Sequence, residues 1–252
     1  MICQIHFADY LLHTKEKQAQ FIIIFILFTL QYVFEHIFPQ QKKYNSGKRE
    51  LANLLIGILN VLFLFIPSVI MVQVIELSAQ FNFGLLHFIK IPFALNVLFT
   101  ILVMDLGMYW WHRFNHSTRL FWHFHKFHHR DTNMNTTTAL RFHAVELLFA
   151  SFFKSIYIFF AGLSFVPVLI YETLFFIIVV FHHSNINISV NFDLIYRKIF
   201  SSPLMHRIHH SNKQEETNTN YGSVFGFWDR LFGTYKKEAS GNIIFGVDES
   251  SN

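Results

Sequence analysis

Eight histidines stand in three short clusters: His112 and His116 in HRFNH, His125, His128 and His129 in HKFHH, and His206, His209 and His210 in HRIHH. Neutral imidazole is a favoured ligand of mid-row transition metals. On a helix, residues three and four apart share a face, so each cluster offers two or three rings on one side. A lone HxxxH is a weak signal, and one HxxHH is a moderate one. Two HxxHH clusters preceded by an HxxxH rarely arise by chance. Eight rings exceed the three or four ligands of a zinc site, so the pattern predicts two metal ions with positions open to oxygen. Facing helices of a bundle can bring such rings together. Iron suits nitrogen ligands and oxygen chemistry, while zinc and manganese stay open on the residues alone.

Other residues near these clusters are candidates for the same site. His183, in FHHSN, lies at a membrane boundary on the cluster side and is read as a further ligand. His182 beside it points away if the segment is regular. His143, in ALRFHAVE, either ligates or hydrogen-bonds a ligand or substrate. Asp105, Glu146 and Asp229 are candidates for the outer carboxylates that orient ligating imidazoles. For Asp105 and Glu146 a salt bridge with Arg113 or Arg141 is an equal alternative. His6, His13, His36, His87 and His123 fall outside the spacing and are read as ordinary histidines. Arg113, Arg141 and Arg207 either meet a lipid phosphate or mark one membrane face.

The elements that must position these rings are apolar. The 252 residues are 52% hydrophobic and 14% charged, with 33 Phe, against about 25% charged in a soluble domain. That deficit predicts an all-α, multi-span integral membrane bundle of four to five spans, capped by a histidine-rich helical region. Residues before Phe21 are expected on the membrane surface. Expected spans are Phe21–Phe38, Leu51–Ile75 bent at Gly57 and Pro67, Ile91–Trp111, and two short crossings within Val145–Phe181. Phe21–Phe38 is read as a retained anchor rather than a signal peptide. A hairpin in the last stretch returns the chain to the side it left, so His206 can join His112. Lys42, Lys43, Lys48 and Arg49, then Arg113, Arg119, Lys126 and Arg130, place the histidine end in the cytoplasm by the positive-inside rule. Thr132–Thr138 reads as a polar link. One domain is expected, with N-terminal spans over 21–111 and a catalytic region over 95–235. Cys3 is the only cysteine, which excludes a disulfide framework, cysteine-ligated zinc and iron–sulfur clusters. No aromatic-plus-basic motif points to nucleic acid.

The ordered segments DLGMYWWHRFNH, LFWHFHKFHHRDTNMNTTTALRFHAVE, HHSN, SPLMHRIHHS and TNYGSVFGFWDRLFGTY resemble the fatty acid hydroxylase / sterol desaturase superfamily of membrane di-iron enzymes. The resemblance covers roughly residues 95–235. It implies oxygen-dependent hydroxylation or desaturation of a lipid, with two iron ions as cofactor and dioxygen as co-substrate. It carries the ligand role onto His112, His116, His125, His128, His129, His206, His209 and His210, with His183 as the ninth. Ala144 stands where the family often has proline. The three residues between His112 and His116 look closer to the sterol-desaturase-like and alkylglycerol-monooxygenase-like branch than to acyl-CoA desaturases. A fused cytochrome domain is not expected, so electrons are expected from a separate ferredoxin, cytochrome or reductase.

Rivals come from other classes. A metal transporter or other non-catalytic metal-binding membrane protein would place its ionisable groups near the midplane, whereas these histidines cluster at span ends. A bis-histidine haem protein leaves the HxxHH triplets unexplained. A zinc protease would need HExxH, which does not occur in the sequence.

Overall fold

The computed structural model describes residues 15–41 and 47–248. His6, His13, Lys42, Lys43 and most of the expected surface segment lie outside them. The described residues form helices joined by short turns, with three isolated β-bridges and no strand. Five stretches are long and apolar enough to cross a membrane: Lys15–Ile37, Phe65–Phe88, Phe93–Ser117, Ala144–Ala161 and Phe165–His183. The protein is a multi-span helical membrane bundle, as its composition predicts.

Helix α1 (Lys15–Ile37) lies along α8 (Phe165–His183), and Gln20 and Gln31 donate to the carbonyls of Leu169 and Ile177. Its outer face exposes Phe21, Phe25, Leu30 and Val33, which lipid rather than water must cover. Helix α5 (Phe93–Ser117) packs on α7 (Ala144–Ala161) and α8. Met104, Met108, Trp111, Ile158 and Tyr171 form the buried core between them. At its 25 residues, α5 is ~37 Å long, against a hydrocarbon core of ~30 Å. The helix is thus longer than the hydrocarbon core, and His112 and His116 sit on its last two turns. Helix α7 ends at Gly162, whose left-handed backbone (φ +68°) suits glycine. A Cβ on Gly84 would lie 2.4 Å from the Gly162 nitrogen, so two glycine turns meet at the end remote from the clusters.

The expected second span is corrected. Leu51–Ile75 is not one crossing but two helices, α2 (Gly47–Phe63) and α3 (Phe65–Gln80), joined at Leu64. Pro67 has no N–H for the carbonyl of Phe63, which breaks the ladder there. Helix α2 buries Glu50, Asn53, Gly57 and Asn60, a polar stripe at spacings of three and four. The stripe faces the segment expected to be a polar link. That segment is an ordered 3₁₀ turn, Thr136–Leu140, started by an Asn135 capping box and buried at Thr136, Thr137 and Thr138. A short helix, α4 (Leu85–Phe88), caps α3 at the remote end.

At the histidine end, α6 (Arg119–His129) folds back from α5, and four short helices follow α8. They are α9 (Val190–Tyr196), α10 (Pro203–His209), α11 (Gln214–Thr217) and α12 (Phe227–Leu231). Helix α10 begins at a Ser202 N-cap that accepts from the Met205 nitrogen, with Pro203 at the first position, where its fixed φ favours a helix start. Helix α10 packs on α8.

Candidate metal centre

Four elements deliver the rings. Helix α5 carries His112 and His116 on its last two turns, and α6 carries His125, His128 and His129. Helix α8 ends on His183, and α10 presents His206 and His209 with His210 following at once. They gather into two groups. His112, His116, His125, His129 and His209 form one, and His128, His183, His206 and His210 form the other. Within each group one ring nitrogen per residue lies within 4.8 Å of all the others. The groups adjoin, since the rings of His129 and His210 stack at 4.3 Å. The single HKFHH cluster serves both: His125 and His129, four apart, face one group, and His128 faces the other.

The outer nitrogens fix which way each ring offers its lone pair. His112 Nδ1 lies 2.8 Å from the Tyr221 carbonyl, His128 Nδ1 3.2 Å from that of Arg141, His183 Nδ1 2.7 Å from that of Val179 and His209 Nδ1 2.7 Å from that of Thr219. A carbonyl oxygen has no proton, so in each case the ring nitrogen donates. The inward Nε2 of a neutral ring is then a bare acceptor. His183 Nε2 lies 3.0 Å from His128 Nε2 and 3.1 Å from His206 Nε2. The His183–His128 contact sets two lone pairs against each other, a repulsion that a cation between them turns into attraction. His112 Nε2, His209 Nε2 and both nitrogens of His210 are buried without a hydrogen-bond partner. Each such group costs about 1–3 kcal/mol if nothing satisfies it.

A metal fits this donor set. The facing Nε2 atoms of His183 and His128, 3.0 Å apart, are close enough that both could hold one ion. Burial, and then neighbouring imidazoles, push His128, His129, His206 and His210 well below the ordinary histidine range. His209 is lowered in the same way. A lowered value favours the neutral form of these five rings, in which imidazole offers a lone pair.

The candidate carboxylates divide. Glu146, buried in the first turn of α7, accepts from His125 Nδ1 at 2.7 Å and from Asn115 at 3.3 Å. It makes no salt bridge with Arg113 or Arg141 among the described contacts. Asp229 touches no ring. It accepts from the Tyr221 and Gly222 nitrogens at 2.7 and 2.9 Å and so holds the loop whose carbonyl orients His112. Asp105 also stands off the rings. It accepts from the Val224 and Phe225 nitrogens and Trp228 Nε1 at 3.0, 3.0 and 2.9 Å, pinning the C-terminal loop to α5.

His143 lies in neither group. Its Nδ1 accepts from the Val145 nitrogen as the N-cap of α7, and its ring packs on Phe124. His182 does not turn out toward lipid: it is buried with its ring 3.9 Å from that of His206. Arg141 bonds the Phe127 carbonyl and Asn53, and Arg207 bonds Asn185.

Sequence reasoning passed over three buried carboxylates that brace this end. Glu35 accepts from the nitrogens of Thr136 and Asn185, Glu50 from Asn135, and Asp131 from Asn53, Thr138 and Arg49. The signal was present, because a carboxylate such as Glu35 inside an apolar run is expensive unless partnered. Tyr221 was also missed. Its ring packs 5.3 Å from His116 and 5.7 Å from both His112 and His209. A cavity of about 140 Å³ opens onto both groups, touching His112 and His125 of one and His128, His183 and His206 of the other. Met108, Trp111, Phe142 and Phe175 give it apolar walls.

A family model described as fatty acid hydroxylase matches residues 97–234, a stretch that holds all nine of these histidines. The chain belongs to the fatty acid hydroxylase family. It is 31% identical over 196 residues to the alkylglycerol monooxygenase of Danio rerio, covering 71% of this chain and 39% of that protein. It is 33% identical over 148 residues to the ornithine lipid hydroxylase OlsE of Rhizobium tropici, covering 57% and 43%. The alkylglycerol monooxygenase of Homo sapiens is 30% identical over 165 residues, covering 59% and 32%. The matched part is thus less than half the length of each of these relatives. No solved structure matches the chain. Of these relatives, two are named monooxygenases and one a hydroxylase.

Proposed function

We propose that this protein is an oxygen-dependent lipid hydroxylase whose nine grouped histidines hold two iron ions at the membrane surface. The observation that carries the reading is the facing pair of ring acceptors, His128 Nε2 and His183 Nε2 at 3.0 Å, inside two adjoining histidine groups that share one cavity. A reduced iron pair held there would supply dioxygen activation for attack on an unactivated C–H bond. The protein's own part is orientation and exclusion. The carbonyls of Tyr221, Arg141, Val179 and Thr219, together with Glu146, fix five rings from behind. The apolar cavity walls keep bulk water from the reacting end of a hydrocarbon chain.

A lipid substrate is supported by that cavity and by the relatives, named for alkylglycerol and ornithine lipid. Their names also favour hydroxylation over desaturation, which would share the same oxidant. Dioxygen is the co-substrate, and electrons come from a separate ferredoxin, cytochrome or reductase. Arg113, Arg119, Lys126 and Arg130 crowd the histidine end, which supports its facing the cytoplasm.

The test is purification in detergent with metal analysis, alongside a His128→Ala variant. Wild type should carry a pair of irons per chain, and the variant should lose at least one of them. Lipids incubated with iron-loaded wild type, oxygen and a reductant should gain a species heavier by one oxygen. A folded His128→Ala protein that keeps full iron, or a loaded wild type that yields no oxygen-dependent product, would overturn the proposal.

A further inference from the structure

Lys154 on α7 and Glu172 on α8 form an ion pair inside two apolar crossing segments, with Nζ 2.8 and 2.9 Å from the two carboxylate oxygens. Their side chains are 14% and 23% exposed. Ionisable groups at this depth are costly, and they mark pathways and ligand sites more often than they brace a fold. Bracing alone does not account for where this pair sits. Lys154 lines the cavity that touches both histidine groups. It also lines, with Glu172, a second cavity of about 220 Å³ between α1, α3, α7 and α8. Ser151, one turn before Lys154, borders both of these and also an apolar groove of about 730 Å³ between α3 and α7 that faces lipid. The pair therefore stands where a chain entering from the bilayer would pass on its way to the histidines.

Resting on the hydroxylase reading, we propose that the Lys154–Glu172 pair is a recognition site for an uncharged polar group of the substrate lipid, such as a hydroxyl or amide. The chemistry follows from charge. The ammonium and carboxylate together are neutral, so a group that both accepts from Lys154 and donates to Glu172 joins them without adding net charge. A carboxylate or phosphate would compete with Glu172 for Lys154 and leave an uncompensated charge in the apolar span. The other charge on the second cavity is Lys17, at the start of α1, whose ammonium lies over the Phe165 ring at the outer end. A hydrocarbon chain with no polar group would bury the pair without using it. The pair thus acts on specificity, positioning the chain for attack at the histidine cavity.

The experiment is equilibrium binding to the full chain in detergent, using radiolabelled 1-hexadecanol, hexadecanoate and hexadecane as probes. Wild type should bind 1-hexadecanol at least tenfold more tightly than either of the others. A Lys154→Met/Glu172→Gln double variant should lose that preference while still binding hexadecane. Equal or tighter hexadecanoate binding by wild type overturns the proposal. So does a folded double variant with the preference intact. If the variant does not fold, the wild-type ranking decides. Binding needs no turnover, so the two readings fail separately. Selective binding without oxygen-dependent product sinks only the hydroxylase, and turnover without selectivity sinks only the recognition site.

Discussion

Glu146 and His143 lie three positions apart at the start of α7, and their side chains have different jobs. Glu146 takes the proton-bearing Nδ1 of His125 and so aims Nε2 inward. An outer carboxylate of this kind typically sustains a ~10–100-fold gain in metal affinity. Glu146→Gln should therefore weaken iron retention by about that factor in competition with a chelator, with the fold intact by circular dichroism. His143 caps the helix instead. His143→Ala should lower thermal stability by the ~0.5–2 kcal/mol of a lost N-cap and leave the iron content unchanged. Iron loss in that variant would return His143 to the ligands. Sequence spacing alone did not separate the two residues, since both stand at the same membrane boundary beside the same cluster. What separates them is the direction of each side chain, which depends on α6 passing over the N-terminus of α7.

The elements show how a site of this kind is held from a distance. Asp105 sits seven residues before His112 on α5, yet it fixes the loop that contains Val224 and Phe225. Its partners in that loop and at Trp228 are all donors. An amide at this place would turn its own donors against them. Asp105→Asn should cost about 1–3 kcal/mol for each partner left unsatisfied, seen as a lower melting temperature. Proteolysis should also quicken in residues 220–226. Because Tyr221 supplies the carbonyl behind His112, iron should be lost along with order in the loop. Stability lost with no change in iron would break this coupling. The apolar runs announced the crossing helices, because a span needs only length and hydropathy. The break at Leu64 was less legible. Pro67 signalled a bend, but the separate fate of α2 depended on its polar stripe finding Asp131, Thr137 and the Phe142 carbonyl. Pairings across that distance leave no periodic trace.

At the scale of the whole molecule, a metal held as proposed would stabilise the fold. Nine rings from four elements meet where several nitrogens have no protein partner. An ion bound by the native state alone adds stability through mass action, about 2.7 kcal/mol at a hundredfold excess over its dissociation constant. Chelation should lower the melting temperature in detergent, and ferrous iron should restore it. The His128→Ala protein should show a smaller restoration. An unchanged melting curve after complete metal removal would mean that the histidine end holds itself together through its own contacts.

The three-and-four spacing determined by itself that HKFHH and HRIHH offer several rings on one side, because helix geometry repeats within a few residues. The composition likewise determined a membrane bundle, since so many apolar side chains need lipid to cover them. Only the tertiary structure decided that five rings gather in one group and four in the other, and that His129 and His210 stack between them. It also decided that Asp105 serves a loop 119 positions away rather than a ring. Those outcomes rest on how α10 docks against α8 and α6. Contacts between remote stretches of chain set that docking, and a local pattern of residues does not encode them.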